Sequence, residues 1–271
     1  MPHINIQSLD DPLLEPYRDI RNRNWTELSG RFIAEGPLLV RVLADSSYAI
    51  HSVLLDRKYQ QHYADWIAPE TDLLLVEHAL VEQLVGFNFH RGVLACGLRK
   101  PLLSVREDFK PSDHTGETVA CAVGVQDPEN LGGILRNCAG LGIRRVIIGP
   151  GTADPLSRRV LRVSMGTALH LQLFRSRNLL DDLQWLHSER QVRSVATTLA
   201  EDSQSLEQST RFGTTMILVG NERYGLPPEI QAAASQRVRI EMELATDSLN
   251  VCVAAGIVMH YFCRLAPHSS G

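Results

Sequence analysis

Asn130, Arg136, Glu222, Ser248 and Asn250 are the residues of this sequence best placed by type and surroundings to do chemistry. Asn130 and Arg136 stand in Val119-Ala-Cys-Ala-Val-Gly-Val-Gln-Asp-Pro-Glu-Asn-Leu-Gly-Gly-Ile-Leu-Arg136-Asn, an apolar run that turns polar and then takes up helical spacing. Glu222 stands in Leu218-Val-Gly-Asn-Glu-Arg-Tyr-Gly-Leu-Pro227, and Ser248 and Asn250 in Asp247-Ser-Leu-Asn-Val-Cys-Val-Ala-Ala-Gly256. Each cluster follows a strand-like run. Polar side chains gathered where strands stop are what an enzyme site at the edge of an α/β sheet requires.

Taken singly, each cluster also has a purely structural explanation. Asn130 is expected to cap a helix starting at Leu131, its side-chain oxygen accepting a free backbone N–H. Leu131, Ile134, Leu135, Cys138 and Leu141 then share one face, with Arg136 roughly opposite at 100° per residue. Gly132 and Gly133 fall in the first turn of that helix, where each costs about 1 kcal/mol relative to alanine. Such a cost is accepted more readily where backbone must approach something closely. Ser248 is a natural cap for a final helix, but Asn250 would then sit inside an apolar helix, where an unpaired amide costs a few kcal/mol. The glycines form neither GxGxxG nor the Walker pattern, which argues against a nicotinamide enzyme or a phosphate-loop ATPase.

The elements that must position these residues alternate along the chain. Residues 118–125, 144–148, 192–198, 215–220 and 237–242 read as buried strands. Helices are expected at 131–141, 155–163, 179–189, 227–234 and 248–264. Continuously apolar strands alternating with helices predict a parallel sheet covered on both faces. The last helix is apolar almost all round, so it is expected inside the domain or at a subunit contact. Upstream, Ala34–Ala44, Arg57–Trp66 and Glu77–Val85 suit helices, and His51–Leu55, Leu73–Val76 and Gly92–Leu98 suit strands of a smaller α/β module. The polar stretch Pro101–Thr118 reads as a linker. Two domains are therefore expected, 1–110 and 111–271.

Composition sets limits on function. Hydrophobic content of 44% and charged content of 21% fit a chain that buries a real core. No apolar run reaches the roughly 18 residues of a membrane span, and residues 1–30 show no secretory signal, so a cytoplasmic protein is expected. The five cysteines have no CxxC spacing and the ten histidines no ligand spacing, so reduced cysteines and no metal site are expected. A net charge of −4 argues against a surface that grips nucleic acid throughout, though not against local patches. Of 27 basic residues only Lys58, Lys100 and Lys110 are lysine. Arginine suits bidentate phosphate contacts and stacking on bases, though a compositional bias gives the same ratio. Arg18, Arg21, Arg23 and Arg31, with Tyr17 and Trp25 interleaved, read either as an RNA-binding stretch or as a solvated helix face.

The ordered set Asn130-Leu-Gly-x3-Arg136, Gly220-Asn-Glu-x2-Gly225-Leu and Ser248-Leu-Asn250-Val-x-Val-Ala-Ala resembles the SpoU/TrmH family of RNA ribose 2′-O-methyltransferases, within the SPOUT superfamily. The resemblance covers about residues 118–264. Arg158–Thr167 resembles the segment between the first two motifs, and residues 30–99 are more weakly similar to the RNA-binding domain that often precedes this catalytic domain. The resemblance implies a C-terminal parallel-sheet domain with a deep trefoil knot, S-adenosylmethionine as cofactor, ribosomal or transfer RNA as substrate with ribosomal RNA favoured by the N-terminal module, and a homodimer. By motif position Gly220, Ile240 and Leu249 would contact the cofactor, with Arg136, Asn130, Glu222, Ser248 and Asn250 lining the reactive side. The family assigns activation of the hydroxyl to the motif-one arginine, here Arg136. Guanidinium groups are effectively never deprotonated in proteins, so a fixed cation that favours the developing alkoxide is the preferred role. Cys252 departs from the small hydroxyl residue the family often has there. Arg223 and Tyr224 are bulkier than in many members, and could reach RNA or be loop surface. A catalytically silent RNA-binding or ribosome-assembly factor on the same fold is the competing reading. An unrelated α/β enzyme using NAD or ATP is a third.

Overall fold

The structure is a computed structural model that describes residues 3–18, 20, 29–63, 68, 70–86, 89, 92–110, 116–244 and 247–268. In chain order its elements begin with β1 (His3–Asn5), β2 (Arg31–Glu35), α1 (Pro37–Ala44), β3 (Ile50–Asp56), α2 (Gln60–Tyr63), β4 (Asp72–Val76), α3 (His78–Val85) and β5 (Val93–Leu98). They continue with β6 (Leu103–Ser104), α4 (Val105–Asp108), β7 (Thr118–Ala122), α5 (Pro128–Leu141), β8 (Arg145–Ile148), α6 (Arg158–Val163), β9 (Gln172–Arg175), α7 (Leu179–Arg190) and β10 (Arg193–Thr197). The last are β11 (Gln204–Ser205), β12 (Thr215–Val219), α8 (Pro228–Ala233), β13 (Gln236–Arg239) and α9 (Val251–His260). Contacts divide the chain into two compact units. One runs to Pro101 and takes in Leu156–His170; the other comprises Leu102–Pro155 and the residues from Leu171 onward.

The first unit is a five-stranded sheet in the order β1-β4-β3-β5-β2, with β5 antiparallel to β3 and β2. The expected helix Ala34–Ala44 starts later than its apolar spacing indicates. Ala34 and Glu35 end β2, Gly36 turns the chain at φ +89°, and Pro37 opens α1 with its φ already set for a helix. Tyr17 is fully buried, its hydroxyl donating to the Ser52 carbonyl at 2.8 Å, which makes it a core residue and not an RNA-stacking one. Arg18 donates to the Leu9 and Asp11 carbonyls, and Arg31 pairs with Glu15 at 2.8 Å, so both are engaged inside the unit. Arg21, Arg23 and Trp25 lie outside the described residues. The segment 156–170 packs here too: Arg158 pairs with Glu35 at 2.7 Å, and a Cβ on Gly166 would come within 2.7 Å of Leu39.

The second unit is an eight-stranded sheet in the order β11-β13-β10-β12-β7-β8-β9-β6, and its paired strands are all parallel. Central β7 and β12 are buried at every position, as a sheet covered on both faces demands. The stretch read as a linker supplies the edge strand β6 and the turn of helix α4, and Phe109 joins the core. The two-residue edge strands β6 and β11 and the four-residue β9 carry too few apolar residues to announce themselves by periodicity. No described helix is long and apolar enough to cross a membrane.

Candidate active site

The first motif begins one turn earlier than its sequence indicates. Asp127, in extended conformation, caps α5 by accepting the Glu129 N–H at 2.8 Å, and Pro128 takes the first helical position, where its missing N–H costs nothing. Asn130 is therefore not the cap, and its side chain is free for other work. Its amide donates to Glu222 Oε1 at 3.2 Å, while its oxygen accepts from the Asn250 amide at 2.9 Å. Asn250, not Ser248, caps α9: its oxygen accepts the Cys252 N–H at 2.9 Å and the Val253 N–H at 3.4 Å. The amide expected to be costly inside the last helix is thus satisfied on both ends.

Glu222 completes this node. Besides Asn130, its carboxylate accepts the backbone N–H groups of Asp127 at 3.0 Å and Gln126 at 3.2 Å. Partial burial alone would raise its pKa, but the hydrogen bonds from its own, Asp127 and Gln126 backbone and from Asn130 outweigh that and hold it below the ordinary 4.5. The loops after β7, β12 and β13 are therefore joined through one ionised carboxylate and two amides.

A cavity of about 370 Å³, within the range of small-molecule cofactor sites, lies beside the node at the carboxyl ends of β10, β12 and β13. Gly220, Ile240, Leu249, Ser248 and Glu222 all line it, together with the Thr197–Ala200 segment. Its walls mix apolar side chains such as Val238, Ile240, Met242 and Leu249 with the backbone of two loops. That mixture of apolar and polar residues suits a flat purine and the methylenes of a sulfonium-bearing arm, so these residues fit S-adenosylmethionine. Gly220 is required for a local reason: a Cβ there would collide with Gly225 and Leu226, across a loop closed by paired Asn221–Gly225 backbone bonds of 3.0 Å.

Arg136 is exposed on α5, on the side away from buried Leu131, Ile134, Leu135 and Cys138, as its helical position requires. It makes no hydrogen bond or ion pair among the described residues and is not part of the cavity wall. Six helical residues place it about 9 Å along the axis from Asn130. Gly132 and Gly133 lie in the second turn, not the first. Gly133 meets the close approach expected of it, since a Cβ there would collide with Cys252 Sγ on α9. Asn137 supports the same contact by donating to the Cys252 carbonyl at 3.2 Å. Cys252 is half-buried and packs, its thiol pKa raised by burial.

Three supporting residues escaped the sequence reading. Asn221 donates to the Gly124 carbonyl at 2.7 Å and accepts the Arg223 and Tyr224 N–H groups, fixing the Glu222 loop to the end of β7. Thr152 bridges the Ala122 carbonyl and the Gly124 N–H. Gln231 joins Leu226 to Thr198 across the cavity floor. Asn221 stands inside a quoted motif, so its position was visible; the other two carry no local signal.

A doubly covered parallel sheet with a cofactor-sized cavity at its carboxyl edge defines an α/β enzyme. Residues 117–260 match the SpoU rRNA Methylase family, and the chain belongs to that family. It is similar to an uncharacterised tRNA/rRNA methyltransferase of Mycobacterium bovis, 34% identical over 267 residues that cover 96% of this chain and 91% of that one. It is 31% identical over 185 residues to a 23S rRNA (guanosine-2′-O-)-methyltransferase of Acinetobacter baylyi, covering 68% and 75%. The crystal structure of an AdoMet-bound rRNA methyltransferase from Sinorhizobium meliloti superposes with a TM-score of 0.83 at 26% identity, over 97% of each chain.

Proposed function

We propose that this protein transfers the methyl group of S-adenosylmethionine to a ribose 2′-hydroxyl of RNA, and of ribosomal RNA in preference to transfer RNA. The observation that carries the reading is the convergence of Asn130, Glu222 and Asn250, far apart in sequence, into one hydrogen-bonded node beside the cavity. The RNA class follows the Acinetobacter baylyi relative. An RNA substrate of this kind supports a cytoplasmic location.

Bound in the cavity, S-adenosylmethionine supplies an electrophilic methyl group. Gly220, Ile240 and Leu249, which line the cavity, would hold the cofactor there. Glu222, itself locked by backbone donors, orients Asn130, and Asn130 fixes Asn250 and the start of α9. Ser248, exposed on the cavity wall, orients the ribose. A 2′-hydroxyl is a weak nucleophile, so alignment and stabilisation of the developing alkoxide supply the acceleration. Arg136 provides that positive charge while gripping the neighbouring phosphate.

Because Arg136 stands outside the cavity of its own chain, we assign it to the cavity of a second copy in a homodimer. Val253 and Ile257, 51% and 40% exposed on α9, together with Leu265 give such a dimer an apolar contact. The trefoil knot belongs to the same reading. β13 lies near one edge of the sheet, yet α9 returns to pack on α5 and β12. Mapping 2′-O-methylated positions in ribosomal RNA from cells with and without this protein tests the proposal. One position lost with the protein is expected; an unchanged map contradicts it.

A further inference from the structure

We propose that Tyr224, with Arg223 beside it, is a stacking step for a nucleobase of the substrate RNA at the mouth of the cavity. This rests on the RNA-methylating reading and adds the group that receives the base. Tyr224 lines the cavity and yet is 78% exposed, and its hydroxyl makes no hydrogen bond among the described residues. It therefore contributes little to folding. The loop that carries it takes its shape from other residues, the Gly220 close approach, the Asn221–Gly225 bonds and Gly225 at φ +67°.

That loop is nonetheless stiff where Tyr224 leaves it. Asn221 Oδ1 accepts the Arg223 N–H at 2.9 Å and the Tyr224 N–H at 3.0 Å, and its amide anchors the turn to the Gly124 carbonyl at 2.7 Å. The Arg223 guanidinium lies over the Tyr224 ring, 5.4 Å from its centroid. An aromatic ring on a fixed backbone with a cation over one face leaves the other face for a base: any base can stack there, and the arginine adds attraction to base and phosphate. Asn221 is the positioning residue of this step. The adenine of a bound cofactor is the alternative ring for Tyr224 to stack on, and the test separates the two.

The full-length chain and its Y224A, Y224F and R223A variants are compared in three measurements. These are equilibrium binding of unmodified ribosomal RNA transcribed in vitro, calorimetric binding of S-adenosylmethionine, and methyl incorporation resolved into kcat and KM. Y224A is expected to weaken RNA binding and raise the RNA KM by about tenfold to a hundredfold, with cofactor affinity unchanged. Y224F is expected to match the wild type, and R223A to lose a smaller amount that shrinks with added salt. RNA binding by Y224A equal to wild type overturns the proposal, and so does a loss of cofactor affinity in place of RNA affinity. If the wild type binds RNA through Tyr224 but transfers no methyl group, the methylating reading falls and the stacking step stands. Incorporation with the same RNA KM in wild type and Y224A removes the stacking step alone, and a wild type that neither binds nor methylates RNA removes both.

Discussion

The node and the outward-facing groups of this site are built in opposite ways. Asn130, Glu222 and Asn250 satisfy one another and the backbone N–H groups of Gln126, Asp127 and Cys252 within the folded chain. The side chains of Arg136 and Tyr224, by contrast, make no hydrogen bond among the described residues. The first set is settled when the chain folds and preorganises the cavity's edge. In the proposed function the second set finds its partners outside the chain, as groups that meet a polyanion must. Substitutions in the two sets should therefore separate stability from activity.

The largest separation is expected at Arg136. Arg136→Ala should lower methyl transfer by about a hundredfold to a thousandfold, the usual cost of removing one preorganised charge-stabilising donor, and leave the melting temperature unchanged. Activity and thermal unfolding measured on one preparation check both halves. At the seam beneath the node, Gly133→Ala forces a methyl group against Cys252 and should cost about 1–3 kcal/mol in denaturant unfolding. With Cys252→Ala as background the same change should become neutral or stabilise by up to about 1 kcal/mol, because the helix then gains alanine's propensity. Equal costs in both backgrounds would locate the constraint elsewhere.

Tyr17→Phe tests a residue that sequence alone left open to RNA stacking. Loss of the hydroxyl leaves buried Ser52 short of a partner, so stability should fall by about 1–2 kcal/mol with RNA affinity unaltered. The smallest effect concerns pH. The Glu222 pKa is lowered in the folded state, so its contribution is complete above the ordinary 4.5 and disappears as pH falls through the folded value. Exposure and screening keep it below about 1 kcal/mol. Glu222→Gln should flatten that part of the acid limb of the stability curve, leaving the slope between pH 6 and 8 as it was.

The convergence of the motifs was legible from residues, and their capping was not. Asp127 and Asn130 are both good caps, as are Ser248 and Asn250, and the choice was made by Pro128 and by the tie between Asn130 and Asn250. The two errors differ in cause: Asn130, a good cap by propensity, instead serves Glu222 and Asn250 about a hundred residues away, whereas Asn250 does cap its nearest helix, which starts later than a Ser248 cap would start it. Strands buried on both faces, β7 and β12, were plain from their unbroken apolar runs. β2 was hidden by the apolar spacing it shares with α1, and the two-residue edge strands have no period to read. Gly133 was marked by its cost, though only the packed helices showed that Cys252 was the reason.

Purified protein incubated with methyl-labelled S-adenosylmethionine and unmodified ribosomal RNA offers the most direct check on the site as a whole. A ribose 2′-O-methyl group blocks alkaline cleavage of the adjacent bond, so the label is expected in alkali-resistant dinucleotides with the wild type and to be nearly absent with Arg136→Ala. Label recovered in free bases or mononucleotides, or equal incorporation by the two proteins, would contradict the mechanism.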